Sequence, residues 1–76
     1  MYLPQDVVYG ETILTFIGRK KLKIENYRNL ILYHDEKIRI QAKPYQVVIQ
    51  GKHLYIGYYD KDEMEICGTI TTITFE

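Results

Sequence analysis

The chain has 76 residues and no net charge, because ten basic side chains balance ten acidic ones. This balance excludes an overall positive field that would draw the protein to nucleic acid or to an anionic membrane. A single cysteine excludes an internal disulfide and a cysteine-based zinc cluster, and the apolar runs are far too short to span a bilayer. The length predicts one domain over residues 1–76.

The predicted elements start with LPQDVVYG, the one segment with a hint of helix, where Pro4 suits a first turn. TILTFI is the first expected strand. KLKIE follows and alternates clearly, with Leu22 and Ile24 on one face. NLILY has apolar residues on both faces, which is typical of a central or an interface strand. KIRIQA then alternates again, from Ile38 to Ala42.

The second half of the chain continues the pattern. YQVVIQ, HLYIGY and EMEIC place apolar residues at every second position, and GK, DKD and GT beside them carry turn chemistry. In the closing TITTITF, Ile70 and Ile73 point to opposite faces, which indicates a bulge or a strand covered on both sides. Strand starts recur about every eight residues, which predicts an all-β antiparallel meander of seven or eight short strands forming a small roll, barrel or sandwich. A solenoid-like stack is the minor alternative.

The stretch GKHLYIGYYDKDEMEICG, residues 51–68, concentrates side chains that active sites and metal sites use. His53 and His34 match no metal-ligand spacing, and Cys67 has no neighbouring base that would activate its thiol. DKDE lacks the glycine and the distal glutamate of an EF-hand calcium loop. We therefore expect no enzymatic activity, no metal and no cofactor, and interpret the stretch as a β-hairpin with an acidic turn.

A partner surface is the favoured role for the side chains that alternation directs outward. Outward tyrosines on a sheet bury well against another protein, and ordinary cross-strand packing is the alternative. Stacking of nucleic acid bases is disfavoured, because four acids in the same segment repel phosphate. The strands KLKIE and KIRIQ add outward cations. The predicted surface comprises Tyr55, Tyr59, His53, Lys21, Lys23, Lys37 and Arg39, with Tyr58 assigned to the core.

Two features bear on self-association. Residues 1–43 carry eight Lys or Arg against five Asp or Glu, and residues 44–76 carry two against five. Such asymmetry can orient head-to-tail assembly. TITTITF is uncharged, and in an open meander its edge invites pairing with another chain; in a closed roll the same strand pairs with TILTFI. Self-association through edge strands and closure of the roll are rival expectations.

The motifs LPQDVV, ILTFIG, LKIENYRNLILY, KIRIQ, VVIQGKHLYI and GTITTITFE resemble the YabP/YqfC family of sporulation proteins, on the YqfC side. LPQDVV and the turn at Leu22 to Asn26 are the most distinctive parts of the resemblance. It implies a non-enzymatic assembly factor of endospore-forming Firmicutes in the mother-cell cytoplasm, at the forespore membrane, with a YqfD-like membrane protein as partner. It supplies no catalytic or ligand residues. The YqfC branch has a longer basic N-terminal extension, whereas this chain starts two residues before the LP motif.

The alternative function is small-ligand binding, in which an aromatic-lined roll holds a lipid or a glycan. An apolar cavity of about 300 Å³ or more would favour this function, because ligand sites begin at that scale. A filled core would argue against it.

Overall fold

Six β-strands and no helix make up the part of the chain that the computed structural model describes, residues 11–18 and 20–76. All paired neighbours are antiparallel, and the order across the sheet is β1-β2-β6-β5-β4-β3. The all-β antiparallel fold predicted from alternation is confirmed. The strands are β1 (Ile13–Ile17), β2 (Lys21–Glu25), β3 (Asn29–His34), β4 (Lys37–Gln41), β5 (Gln46–Tyr59) and β6 (Glu63–Phe75).

The described residues form six strands instead of seven or eight because two pairs of predicted strands are continuous. YQVVIQ and HLYIGY lie in β5, which has 14 residues, and EMEIC and TITTITF lie in β6, which has 13. The glycines interpreted as turn residues, Gly51 and Gly68, lie inside these strands where the pairing register is irregular. A glycine within a strand marks a bulge or a close backbone approach as readily as a turn. The helical turn expected at LPQDVVYG falls outside the described residues.

Gly51 and Gly68 bring the backbones of β5 and β6 close together. A Cβ on Gly51 would overlap the Thr69 carbonyl oxygen. A Cβ on Gly68 would overlap the His53 carbonyl oxygen and lie 2.9 Å from the Leu54 Cα. Gly68 also has a φ of 121°, a backbone conformation that residues other than glycine rarely adopt. The hairpin of β5 and β6 therefore has a break in its ladder that only glycines permit.

This break divides the hairpin into two ends that pair with different strands. The turn end, residues 54–67, pairs with β2, and the open end, residues 46–50 with 69–75, pairs with β4. Strands β2 and β4 alternate strictly between buried and half-buried residues, as predicted. Buried side chains from both ends belong to one core cluster, so the sheet folds over on itself about the break. The cluster comprises Leu22, Ile24, Tyr27, Ile38, Ile40, Ala42, Val47, Ile49, Leu54, Met64 and Ile66.

Among residues 11–18 and 20–76, the outermost strands of the sheet are β1, which pairs only with β2, and β3, which pairs only with β4, so TITTITF does not close onto TILTFI. Of the described strands, β5 alone pairs with residues 69–75 of β6. Gln46 and Glu76 exchange both backbone hydrogen bonds. Because an antiparallel ladder alternates, the N–H and C=O groups of Phe75 and Ile73 point to the open side.

A buried threonine ties the connections between strands together. Thr12 Oγ1 donates to the Asn26 carbonyl oxygen at 2.8 Å and accepts from the Lys43 N–H at 2.9 Å. Asn26 in turn donates its backbone N–H to the Asp62 carbonyl oxygen at 2.6 Å. The segment between β2 and β3 is thereby fixed against the β5–β6 turn, and Tyr27 is held at the rim of the core.

Candidate interaction surface and ligand groove

The segment 51–68 forms the predicted hairpin with an acidic turn, because β5 and β6 run antiparallel on either side of residues 60–62. The Asp60 carboxylate accepts hydrogen bonds from the backbone N–H groups of Asp62 and Glu63 and from the Tyr58 hydroxyl, each at 2.8 Å. These donors, the two backbone groups first, hold the pKa of Asp60 below its ordinary value. Asp60 therefore shapes the turn.

Acidification should loosen this turn. Because the pKa of Asp60 in the folded chain lies below its ordinary value of 3.8, its contribution to stability is complete above that pH and is lost as the pH falls through the folded-state pKa. We expect the amide resonances of Asp62 and Glu63 to move together in an NMR titration below pH 3.8. Asp60→Asn, which cannot ionise, should remove that transition. Its persistence in the variant would assign it to another carboxyl group.

A bulge changes the orientation of the tyrosines at the end of β5. The register shifts between Ile56 and Tyr58, so Gly57 is an extra residue, and every side chain beyond it changes face. Tyr58 is consequently 49% exposed, and the prediction that it joins the core is wrong. Tyr59 instead lies opposite the buried Met64 and is 66% exposed at the end of the strand.

The residues of the predicted partner surface are spread over three strands, β2, β4 and β5. Strands β2 and β4 pair with opposite ends of the hairpin, and the bulge separates the two tyrosines. By location, the set divides into Lys21 and Lys23 on β2, Lys37 and Arg39 on β4, the exposed His53 and Tyr55 in β5, and Tyr59 at the end of β5. Their contact with a partner stays a prediction.

Strand pairing neutralises much of the charge asymmetry along the sequence. The basic strand β2 lies beside the acidic start of β6, so cations and carboxylates meet within one chain. Exposed ion pairs of this kind stabilise a fold by only about 0–1 kcal/mol each. They nevertheless cancel the local fields that head-to-tail assembly would use. The pairs are Lys21–Glu65 (3.6 Å), Lys23–Glu63 (3.8 Å), Lys23–Glu25 (3.7 Å) and Arg39–Glu76 (2.9 Å).

Strand β3 exposes all six of its residues, and four consecutive ones are apolar or aromatic. Leu30, Ile31, Leu32 and Tyr33 each keep between 38 and 51% of their surface exposed. The strand forms one edge of the sheet, with β4 on its other side. Because β3 is an edge strand, NLILY is not a central strand. The other expectation, a strand at an interface, stays a prediction. In the sequence, this strand is marked by a run of apolar residues that does not alternate with polar ones.

A groove of about 570 Å³ lies where β3 meets the turn end of β5. The groove lies on the surface and is not the cavity inside a roll that was expected for a ligand binder, but its volume lies within the range of ~300–1,000 Å³ that ligand pockets occupy. Two cations, Arg28 and Lys61, also line the groove. The apolar and aromatic lining comes from four parts of the chain and comprises Tyr27, Leu30, Tyr33, Ile56, Tyr59 and Met64.

Two of the tyrosines in this groove are fixed by their hydroxyl groups. The Tyr27 hydroxyl donates to the carbonyl oxygen of Asp60, and the Tyr33 hydroxyl accepts from the Ile56 N–H at 3.1 Å. Burial, and then the charge of Asp60, raise the pKa of Tyr27, so its hydroxyl stays protonated. Both rings are therefore held in place as walls, and their polar atoms are already satisfied.

A second groove, of about 590 Å³, follows the open side of β6. Phe16, Gly18 and Lys20 form one wall, and residues 69–73 form the other. The β6 wall is an uncharged strand edge, and its backbone groups at Ile73 point into the open side. This edge is the one that the predicted self-association would use.

Metal-binding side chains do not converge in the described part of the chain. Among residues 11–18 and 20–76, no group of three or more His, Cys, Asp or Glu could hold a metal ion. His34 and His53 are exposed on different strands, and Cys67 is a half-buried free thiol opposite Tyr55.

Comparison with known proteins places this fold in a family. The sequence profile of the YabP family matches residues 9–76. The chain belongs to the YabP family. The matched region covers β1 to β6, so every strand described above lies within the YabP-family region.

A known sequence is similar to this chain over most of its length. The chain is 32% identical over 73 residues to the "Uncharacterized protein YqfC" of Bacillus subtilis (strain 168), and the alignment covers 96% of this chain and 78% of that protein. The resemblance to the YqfC side of the family is confirmed. No solved structure matches the chain. Within the described residues there is no helix with the length and apolar character needed to cross a membrane.

Proposed function

We propose that this YabP-family protein is a non-enzymatic assembly factor that acts in sporulation through protein–protein contacts. The resemblance to YabP/YqfC proteins, which are associated with endospore development in Firmicutes, supports the sporulation role. The observation that carries the contact role is the exposed apolar edge strand β3. Sheets normally shield such edges with charges, bulges or covering elements, because a bare edge pairs with other chains. Strand β3 has a register shift between Leu30 and Leu32 but no charged side chain among its four exposed apolar or aromatic residues.

Strand β3 offers a partner both backbone groups and side chains. Asp35 and Glu36 form a two-residue turn, so His34 and Lys37 are the hydrogen-bonded pair beside it. The backbone N–H and C=O of Tyr33 therefore point to the open edge, where another strand can pair with them. Burial of the neighbouring apolar side chains would add about 25 cal/mol per Å² of apolar area removed from water.

A YqfD-like membrane protein is the partner that we favour, because the resemblance implies it. The protein would then act in the mother-cell cytoplasm, as a peripheral component at the forespore membrane. Self-association through edge strands is the other interaction mode. Nucleic acid is disfavoured as a partner, because the cations of β2 lie within 4 Å of carboxylates.

Lysines placed on β3 should abolish association and leave the fold intact. Ile31→Lys with Leu32→Lys introduces charges at two exposed positions, so the free energy of unfolding should change by only about 0.5 kcal/mol per site. The charges block edge pairing. We expect the wild-type protein to co-purify with a YqfD-like membrane protein and the variant to lose at least ~90% of that recovery, since an edge charge is a strong barrier to pairing.

Two further variants make this experiment decisive. Thr15→Lys with Phe16→Lys places the same charges on the opposite edge strand, β1, and should leave co-purification unchanged. Tyr55→Ala with Tyr59→Ala tests the tyrosines predicted as contact residues. Loss of binding in the tyrosine variant alone would move the contact surface from β3 to β5. Sedimentation over a range of protein and salt concentrations separates partner binding from self-association, which would use the open side of β6 and should persist in the β3 variant.

Small-ligand binding is a second candidate function, and the groove of about 570 Å³ favours it. The groove meets the volume criterion, is lined mainly by apolar and aromatic side chains, and carries a small number of charged groups, as ligand sites do. Ligand-induced shifts of amide resonances around Tyr33 and Ile56 in NMR spectra would support this function. Their absence with lipid and glycan probes alike would remove it.

A further inference from the structure

We infer that the groove between β3 and the turn end of β5 binds a single-chain anionic amphiphile, that is, an unbranched apolar chain with one carboxylate head group. This inference rests on the second candidate function, small-ligand binding, and names its ligand class. It shares Leu30 and Tyr33 with the contact role of β3, so the two are distinguished by variants at Arg28 and Lys61, which lie outside β3.

The walls of the groove suit an apolar chain. Leu30, Ile56 and Met64 contribute aliphatic and thioether surface from three different strands. The rings of Tyr27 and Tyr33 stand among them, and their hydroxyls are already bonded to the Asp60 carbonyl oxygen and the Ile56 N–H. A ligand in the groove would therefore contact ring faces and methyl groups, because both tyrosine hydroxyls are already hydrogen-bonded within the protein.

The cations of the groove select the charge of the head group. Arg28 and Lys61 line the groove, and neither forms an ion pair with a described residue, in contrast to Lys21, Lys23 and Arg39. A guanidinium and an ammonium that have no ion-pair partner among the described residues provide charge complementarity for a carboxylate beside the apolar surface. The charge pattern thus favours an anion over a cation.

The nearby acids do not reverse this preference. Asp60 and Asp62 belong to the β5–β6 turn but do not line the groove. The Asp60 carboxylate is directed at the turn, where it accepts hydrogen bonds from Tyr58 and from two backbone N–H groups. Neutral donors do not remove that charge, so the preference for an anion rests on the lining itself, in which both charged side chains, Arg28 and Lys61, are cations.

An added peptide strand or a glycan fits the groove less well. The β5 N–H groups that face the groove side are satisfied, Leu54 by the Asp35 carbonyl oxygen at 2.8 Å and Ile56 by the Tyr33 hydroxyl. A peptide strand would find those donors occupied. A glycan needs several free polar groups for its hydroxyls, and the groove offers mainly apolar walls.

Titration with sodium dodecanoate below its micelle concentration tests the inference, with calorimetry for affinity and NMR for location. We expect saturable binding that moves the amide resonances of Leu30, Tyr33 and Ile56. Arg28→Gln with Lys61→Gln should weaken binding by at least ~10-fold, the scale of a lost charge-assisted hydrogen bond. Lys37→Gln with Lys52→Gln removes the same charge at residues that do not line the groove and should leave the affinity unchanged.

Probes with other head groups separate the possible failures. Dodecyl maltoside and dodecyltrimethylammonium should bind at least ~10-fold more weakly than dodecanoate for the same reason. Equal binding of all three would overturn the anionic class but retain a ligand groove. If none of the probes shifts the amide resonances of the groove residues, both this inference and the ligand function are wrong. Binding to phosphatidylglycerol vesicles without binding to dodecanoate would identify a membrane surface as the anion source and overturn the inference.

Discussion

Gly68→Ala should unfold the domain under conditions in which the wild-type protein is folded. The alanine Cβ would overlap the His53 carbonyl oxygen and press against the Leu54 backbone, which cannot rotate away as a side chain can. The residue would also have to keep a φ of 121°. Strained backbone of this kind costs ~1–3 kcal/mol even without a clash. We expect a total loss of about 3–5 kcal/mol, a large part of the stability of a small domain.

Gly18→Ala is the matched control for this variant. Gly18 also has a positive φ, 67°, but a Cβ there would meet no atom within 4 Å. Its replacement should cost only ~1–2 kcal/mol, the ordinary penalty for a left-handed residue. Chemical denaturation of both variants measures the difference. Similar losses would mean that the break between the two ends of the hairpin tolerates a side chain, and that the close backbone approach does not hold the fold.

The core was predictable because burial and strand geometry leave the same period in the sequence. Leu22 and Ile24 on β2, and Ile38 and Ile40 on β4, alternate with polar residues and are all fully buried. A strand with one face on the core needs apolar side chains at every second residue and at no others. Where the ladder is regular, counting by two therefore identifies the inner face.

The strand count and the tyrosine orientations were predictable only in part, because a glycine in an alternating segment marks a turn, a bulge or a close backbone approach alike. The opposite faces of Ile70 and Ile73 predicted a bulge or a doubly covered strand, and Thr71 is an extra residue between them. Gly51 lies within β5 instead of in a turn, and the extra residue at Gly57 places Tyr58 outside and Tyr59 opposite Met64. Counting by alternate residues identifies the inner face only as far as the first bulge. The position of that bulge depends on the partner strand.

The groove could not be predicted from the sequence for a different reason. Its walls are distant along the chain, with Tyr27 to Tyr33 on one side and Ile56 to Met64 on the other. The Tyr33 hydroxyl on the Ile56 N–H, which replaces a strand partner, follows from the folding of the sheet about its break. Sequence patterns indicate which residues alternate, but not which edges of a folded sheet will meet.

The charge asymmetry of the sequence has a simpler origin in the fold than assembly between copies. The basic segment around Lys21 and Lys23 and the acidic segment around Glu63 and Glu65 are neighbouring strands of one sheet. Lys23 lies directly opposite Glu65, and the ion pairs Lys21–Glu65 and Lys23–Glu63 are diagonal. These contacts favour the pairing, whereas Glu25 directly opposite Glu63 opposes it. The asymmetry between the two halves of the sequence therefore supports pairing within the chain, and assembly must use surfaces such as the apolar edges.

Ile66→Ala should destabilise both ends of the folded sheet. Ile66 is 0% exposed in β6, where it lies between Leu22 of β2 and Ile56 of β5. Truncation of a buried isoleucine to alanine costs about 2–5 kcal/mol, from lost transfer free energy and from the cavity that remains. Ile17→Ala, at a position 49% exposed on the edge strand β1, is the control and should cost about 1 kcal/mol or less.

The distribution of this loss along the chain tests whether the two ends share one core. The core cluster joins Ile66 at the turn end to Ile38 and Ile40, which pair with the open end. If folding is cooperative across that cluster, hydrogen exchange should accelerate in β4 as much as in β2, because both exchange through the same global opening. Faster exchange confined to β2 and the turn end would show two independent units. The break at Gly51 and Gly68 would then be a boundary between them, and the shared core could no longer explain why a chain of 76 residues folds.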